Sequence, residues 1–194
     1  LMAVYFRGMS DREVSALAAC MLGTGEAVDL STVPGAKIHL YSTGGVGDKA
    51  GVVAAALAAS AGVVAPMFAE RRGGRIPSLL DKLDSIPGFR SQLSFDEVRV
   101  QLNQLGLCFA APLLGPSPIQ QKLWALRQAT GTEESVPLLA ASIMAQELTY
   151  GVDGYVFDVK VGSGSSVKWQ VEGRRLGQHL VMISRRMDKR AQAL

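Results

Sequence analysis

Residues 42–49 read Ser42-Thr43-Gly44-Gly45-Val46-Gly47-Asp48-Lys49, a glycine-rich turn set between an apolar, strand-like run (38–41) and an alanine-rich, helix-like run (50–61). A strand that hands over to a helix through so short a turn commits the chain to an α/β crossover. The first amides of such a helix lack intrahelical partners, and glycines let the backbone approach an anion, so the turn outlines a phosphate cradle. It matches neither Gly-x-x-x-x-Gly-Lys-Ser/Thr, because Lys49 is followed by Ala50, nor Gly-x-Gly-x-x-Gly. On pattern alone, a tight turn without a ligand stands beside the cradle as a reading.

The rest of the chain supplies the context for that crossover. Ser10 and Glu13 form a capping-box pair ahead of Val14, Leu17, Ala18 and Met21, whose spacing gives one apolar helix face ending near Gly23. From residue 37 the rhythm changes to strand, turn, helix (50–61), strand (63–68), polar glycine loop (70–77) and a short helix around 81–83. Ser94 and Glu97 cap a further helix, and Gly106 opens a strand over 107–111. Pro112, Gly115, Pro116 and Pro118 then interrupt the alternation, and two helical runs (119–130 and 136–148) follow with almost no strand between them. A strand over 155–161, the turn Gly162-Ser163-Gly164-Ser165-Ser166 and a last helix from about 171 complete the pattern.

The expected fold class is therefore α/β: a small all-helical lobe plus a larger lobe with a mostly parallel sheet flanked by helices. The helical lobe takes residues 1–31 and 114–149, and the α/β lobe takes 32–113 and 150–194. The first helix reads as one entered midway, and residues 189–194 read as the end of the last helix approaching another strand. Both ends suggest a fragment, or a shortened relative of something longer.

Composition removes several classes. With 48% hydrophobic and 19% charged residues the chain is globular, not a disordered tail. The apolar stretch 52–67 is broken by Ser60, Gly62 and Pro66 and reads as a buried helix followed by a strand, so no membrane span is expected. The net charge of +3 gathers at Arg174, Arg175, Arg185, Arg186, Lys189 and Arg190, without interleaved aromatics. That is a solvated helix face, not a nucleic-acid platform. Cys20 and Cys108 read as reduced core residues of a cytoplasmic protein, and neither His39 nor His179 has metal-ligand company. No metal site is expected, and neither histidine is given a chemical role.

Ser42 to Lys49 resembles the signature of the thymidine and pyrimidine nucleoside phosphorylases. Three further blocks follow in that family's order: Leu80-Asp81-Lys82-Leu83-Asp84-Ser85-Ile86-Pro87-Gly88-Phe89; Ala125-Leu126-Arg127 leading to Ser135-Val136-Pro137-Leu138 and Ala141-Ser142-Ile143-Met144; and Asp158-Val159-Lys160-Val161-Gly162-Ser163-Gly164. The likeness covers essentially all 194 residues. It implies a helical lobe hinged to an α/β lobe, and a pentosyltransferase that carries out reversible phosphorolysis of a pyrimidine nucleoside to free base and pentose 1-phosphate. No cofactor is implied, inorganic phosphate being the co-substrate. The resemblance further implies a homodimer paired through the helical lobe; Val4, Phe6, Leu17 and Met21 would supply either that contact or an internal core.

Residue by residue, the resemblance assigns phosphate binding to Ser42, Thr43, Gly44, Gly45 and Gly47. It assigns the pyrimidine to Arg127 and Ser142, with Gln146 at a position the family fills with Lys, and Trp124 at an aromatic position beside the base. Trp124 reads equally as a helix-packing residue, and Arg127 in isolation as a surface arginine. Catalytic roles fall on Arg127, stabilising charge on the leaving base, and on Tyr41, which stands where the family has His. The departures collect on the phosphate side: Leu40 replaces a phosphate-facing Lys, and two hydroxyl ligands fall on Ala69 and Leu79. Arg71, Arg72 and Arg75 are either replacement anion donors or a solvated loop. The alternative function is a catalytically inactive nucleoside-binding or interaction module with the same fold.

Overall fold

The computed structural model describes residues 1–23, 27–46, 49–70, 78–165 and 167–194. The chain opens with α1 (Met2–Arg7) and α2 (Asp11–Leu22), and α2 begins at the expected capping box: Ser10 Oγ accepts from the Glu13 amide while the Glu13 carboxylate takes the Ser10 amide over 2.8 Å. β1 (Ile38–Ser42), α3 (Ala50–Ser60) and β2 (Ala65–Phe68) form the first crossover. Next come α4 (Leu79–Leu83), α5 (Phe95–Leu105) and β3 (Leu107–Ala110). Then follow α6 (Pro118–Thr130) and α7 (Val136–Glu147), which runs into a single 3-10 turn (Leu148–Tyr150). β4 (Gly154–Asp158), α8 (Gln170–Arg186) and β5 (Arg190–Ala193) complete the order. The fold is mixed α/β, as the alternation predicts.

Every strand ladder among the described residues is parallel. β1 pairs with β4 in the register Ile38 opposite Gly154 to Ser42 opposite Asp158, β4 pairs with β5, and β2 pairs with β3. A bridge from Lys37 to Val64 joins the two ladders, so the strands run β3, β2, β1, β4, β5 across the molecule. The crossover from β1 leads toward β2, and that from β4 leads the opposite way toward β5. In open α/β sheets the crevice outside the carboxyl ends of two such strands is the preferred place for a ligand. Here it lies beyond Ser42 and Asp158.

α7 explains how the helical segment is held. Ala140, Ala141, Ile143, Met144 and Ala145 are all buried, which suits a helix apolar on nearly every side, and the helix packs between α2 and α8. Val14, Ala18 and Met21 of α2 meet it, as do Leu176, Leu180 and Ile183 of α8, in one continuous core that also takes in Phe68, Tyr155 and Phe157 from the sheet.

Three expectations are corrected. Cys20 is exposed, because the buried stripe of α2 passes through Val14, Ala18 and Met21 and leaves position 20 off that arc; Cys108 on β3 is buried. α3 buries only Gly51 and Ala55, and leaves Val53 61% and Leu57 64% exposed, because only one of its faces meets the sheet. Residues 190–193 are not the tail of a helix: α8 stops at Arg186, and after Asp188 at φ 55° the chain enters β5. The basic residues of α8 do face outward, Arg174, Arg175, Arg185 and Arg186 being exposed. Among the described residues no helix is long and apolar enough to cross a membrane.

Candidate functional site

β1 delivers its last residue, Ser42, to the sheet crevice, and the glycine turn follows. Gly44 adopts φ 78°, which favours glycine, and a Cβ on Gly45 would lie 3.1 Å from the Gly164 carbonyl oxygen. That close approach arises because the first turn packs on a second, 162–165, which follows β4. Val46 N donates to Gly164 O over 2.9 Å and Thr43 N to Asp158 O over 3.1 Å. The buried Thr43 hydroxyl accepts from the Lys160 amide at 2.8 Å, and Ser42 Oγ accepts from the Gly44 amide at 3.1 Å. Gly47 lies outside the described residues, as do Arg71, Arg72 and Arg75.

Two ammonium groups that the sequence reading gave no role border this turn. Lys82 Nζ on α4 donates to the Gly45 carbonyl at 3.3 Å, and Lys160 forms an ion pair with Asp158 at the end of β4. Both lysines sit inside the recognised blocks, so motif membership was the available signal. Leu40, by contrast, points to the opposite side of β1 from Tyr41, as the two-residue period of a strand requires, and packs with Ala55, Ala65 and Met67. Tyr41 is half-buried and meets the Phe157 ring at a centroid distance of 6.2 Å.

The pyrimidine candidates lie on α6 and α7. Arg127 is only 5% exposed, and burial holds its guanidinium below its ordinary pKa, with the Glu133 charge partly opposing. Its Nη1 donates to Ser142 Oγ at 3.1 Å and its Nη2 to the Glu133 carbonyl at 2.7 Å, while Nε is buried with no partner among the described residues. Ser142 Oγ in turn donates to Leu138 O at 2.8 Å. Gln146, one helical turn beyond Ser142, is 8% exposed; its Nε2 donates to Leu114 O at 3.3 Å. The Tyr150 hydroxyl is near enough to be influenced by the Gln146 side chain, yet Gln146 Oε1 accepts no bond of ordinary geometry. The structure thus joins Arg127 to Ser142 directly. Trp124, three residues before Arg127 on α6, is 60% exposed.

One buried contact escaped the sequence reading. His39 Nδ1 lies 2.5 Å from Glu147 Oε2, with side chains 1% and 3% exposed. The other ring nitrogen of His39 contacts the Phe68 backbone, 3.1 Å from the amide nitrogen and 3.0 Å from the carbonyl oxygen. Tyr150 packs against both rings, at centroid distances of 5.2 Å from His39 and 4.9 Å from Phe68. Burial first, and then the Glu147 charge, raises the Tyr150 pKa well above its ordinary value. A cavity of about 390 Å³ opens elsewhere, between the start of α2, Pro137 and the Arg175, His179 and Met182 face of α8. No cluster of metal-ligating side chains occurs among the described residues.

A parallel sheet with a glycine turn at its carboxyl crevice and a polar constellation on the adjoining helices defines an α/β domain with a candidate ligand site at its switch point. Residues 35–193 match the family described as "Glycosyl transferase family, a/b domain", and the chain belongs to that family. The chain is 36% identical over 193 residues to a pyrimidine-nucleoside phosphorylase of Geobacillus stearothermophilus, a match covering 100% of this chain and 45% of that one. It is 42% identical over 184 residues to a thymidine phosphorylase of Mycobacterium tuberculosis, covering 94% of this chain and 43% of that one. The resemblance read from the four sequence blocks therefore holds, and the chain spans a little under half the length of these relatives. Among solved structures, anthranilate phosphoribosyltransferase from Thermus thermophilus shares the fold with a TM-score of 0.70 at 18% identity, over 97% of this chain and 52% of that one.

Proposed function

We propose that this chain carries the phosphate and pyrimidine sites of a nucleoside phosphorylase, in which inorganic phosphate attacks the anomeric carbon of a pyrimidine nucleoside. A phosphate oxygen bonds to C1′ as the glycosidic C–N bond breaks, and that bond's electron pair departs on the pyrimidine. Ser42, Thr43, Gly44 and Gly45, with Gly47, receive the phosphate; Arg127 and Ser142 receive the base, beside Gln146 and Trp124. The observation that carries this reading is the placement of the glycine turn beyond Ser42 and Asp158, where the two crossovers diverge. The relatives named for this reaction add to it.

Arg127 supports the base assignment. Its buried, unpartnered Nε is a donor, and Gln146 Oε1 is a buried acceptor one turn past Ser142. Together they complement the alternating acceptors and donor of a pyrimidine's amide edge. A guanidinium that is already desolvated stabilises charge growing on the leaving base more strongly than one in water. Tyr41, a neutral phenol near pH 7, acts as a hydrogen-bond donor near the sugar and not as a base. The substrates are a small nucleoside and phosphate, the working partner is a second copy paired through the helical segments 1–31 and 114–149, and the compartment is the cytoplasm.

A second reading is favoured by specific losses. Leu40 packs among apolar side chains where the family has a cation, and Gln146 brings no charge to the base. Each hydrogen bond to a charge is worth about 1.5–3 kcal/mol, and about 1.4 kcal/mol is tenfold in rate, so an uncompensated phosphate site slows turnover by orders of magnitude. On that reading the chain is a nucleoside-binding module.

Thermal melting with thymidine or uridine, each with and without phosphate, separates the two. Release of free base that requires phosphate and disappears in Arg127→Ala supports the enzyme. Stabilisation by nucleoside but not by phosphate, without base release, supports the module. Absence of any nucleoside effect overturns both.

A further inference from the structure

The pyrimidine candidates stand on α6 and α7 and the phosphate candidates follow β1, so a reaction between their ligands requires α7 and β1 to be held in one register. We infer that His39 and Glu147 are the positioning residues that hold it, an inference that rests on the phosphorylase reading above. His39 precedes Tyr41 by two residues on β1 and shares its side of the strand; Ser42 is next in line. Glu147 follows Gln146 directly on α7 and stands five residues after Ser142. Their 2.5 Å contact is buried from both sides. Because the second imidazole nitrogen meets the backbone of Phe68 on β2, one ring ties α7 to two adjacent strands.

Stability alone does not account for this pair. A buried carboxylate is costly to desolvate, and Glu147 sits at the carboxyl end of a helix, where the dipole disfavours negative charge. Apolar residues of similar volume would avoid that desolvation, although a leucine at position 39 would also take the imidazole away from the Phe68 amide. What a directional contact supplies that leucine cannot is a single alignment of the two elements, as polar residues do in otherwise apolar interfaces. Tyr150 and Phe68 close the site to water, and the Tyr155 hydroxyl donates to the Glu147 carbonyl at 3.0 Å, fixing the end of α7 on β4 as well.

The test measures alignment without any ligand. Nitroxide labels are placed by Trp124→Cys and Val46→Cys, at positions 60% and 75% exposed, in a Cys20→Ser background. Cys108 is left in place, since burial pushes its thiol up to about 11 and makes it unreactive. The distance distribution between labels is compared in the parent, in Glu147→Gln and in the double variant His39→Leu with Glu147→Leu. A narrow distribution in the parent and in Glu147→Gln, about twofold broader in a leucine pair that still melts in one cooperative transition, supports the inference. A distribution unchanged in the leucine pair overturns it. If the leucine pair does not fold, Glu147→Met, which keeps the volume and leaves the imidazole on Phe68, is read in the same way. Nucleoside and phosphate take no part, so failure of this measurement is separate from failure of the phosphorylase reading, which the melting experiment decides.

Discussion

The Lys160 amide donates to the Thr43 hydroxyl across 2.8 Å, and this bond fastens together two turns whose residues lie 117 positions apart in the chain. One turn follows β1 and the other follows β4, so the bond closes the crevice at which the two crossovers part.

Thr43→Val keeps the shape and removes the acceptor. The Lys160 amide is then left without its partner in a partly buried site, a loss of about 1–3 kcal/mol. Thermal unfolding followed by circular dichroism should show that loss in Thr43→Val and nearly parent stability in Thr43→Ser. If valine and serine behave alike, the hydroxyl is not what joins the turns.

Arg127→Lys tests whether the buried guanidinium acts through its fork. Its two terminal nitrogens reach Ser142 Oγ and the Glu133 carbonyl at once, which one ammonium group cannot reproduce. The variant should lose about 2 kcal/mol of stability and the stabilisation conferred by thymidine or uridine. Retention of a nucleoside-dependent shift in melting temperature would move the base site away from this residue.

The parts of this arrangement that were legible in the sequence share a local cause. Ser10 with Glu13 and Ser94 with Glu97 announce helix starts because the capping bonds form within four residues of chain, and the strand, turn and helix order announces parallel pairing because the connections are short. Ser78 with Asp81 and Ser117 with Gln120 make the same capping box at the same three-residue spacing, so these two helix starts carry the same local signal. The His39–Glu147 contact was not legible, since its members are 108 residues apart and neither carries a spacing signal. Cys20 reads as buried only while its apolar character is weighed without its angle around α2. The glycine turn is recognisable from its residues, but the lysines that border it acquire a place only in the folded chain, Lys82 from α4 and Lys160 once β4 is laid beside β1.

Gly151→Ala probes the return of the chain from α7 to the sheet. Gly151 has φ 67°, and a Cβ there would come within 2.0 Å of the Val28 carbonyl oxygen, a backbone atom that cannot swing aside. Val28 N is itself bonded to Thr149 O at 2.7 Å, so yielding would break a second contact. The expected cost is about 3 kcal/mol or more, read from denaturant unfolding. A variant within experimental error of the parent would show that the Val28 carbonyl can yield to the added methyl at no cost.

His179 offers a titration with a definite sign. Burial favours its neutral form and holds its pKa below the ordinary 6.5, the Asp11 carboxylate at 3.6 Å pulls it back up, and the Arg175 charge pushes it down. The unfolded chain therefore binds more protons between the lowered native value and 6.5, and the contribution of this group to stability falls as pH is lowered through that window. Asp11→Asn should drop the midpoint further and Arg175→Gln should raise it. With only two histidines in the chain, imidazole proton resonances followed by NMR from pH 8 to about pH 4, in the parent and in His179→Gln, assign the His179 ring directly. A native His179 midpoint above 6.5 would mean that the Asp11 charge outweighs burial, and the two substitutions would then decide whether the Arg175 face of α8 lies close enough to the ring to act on it.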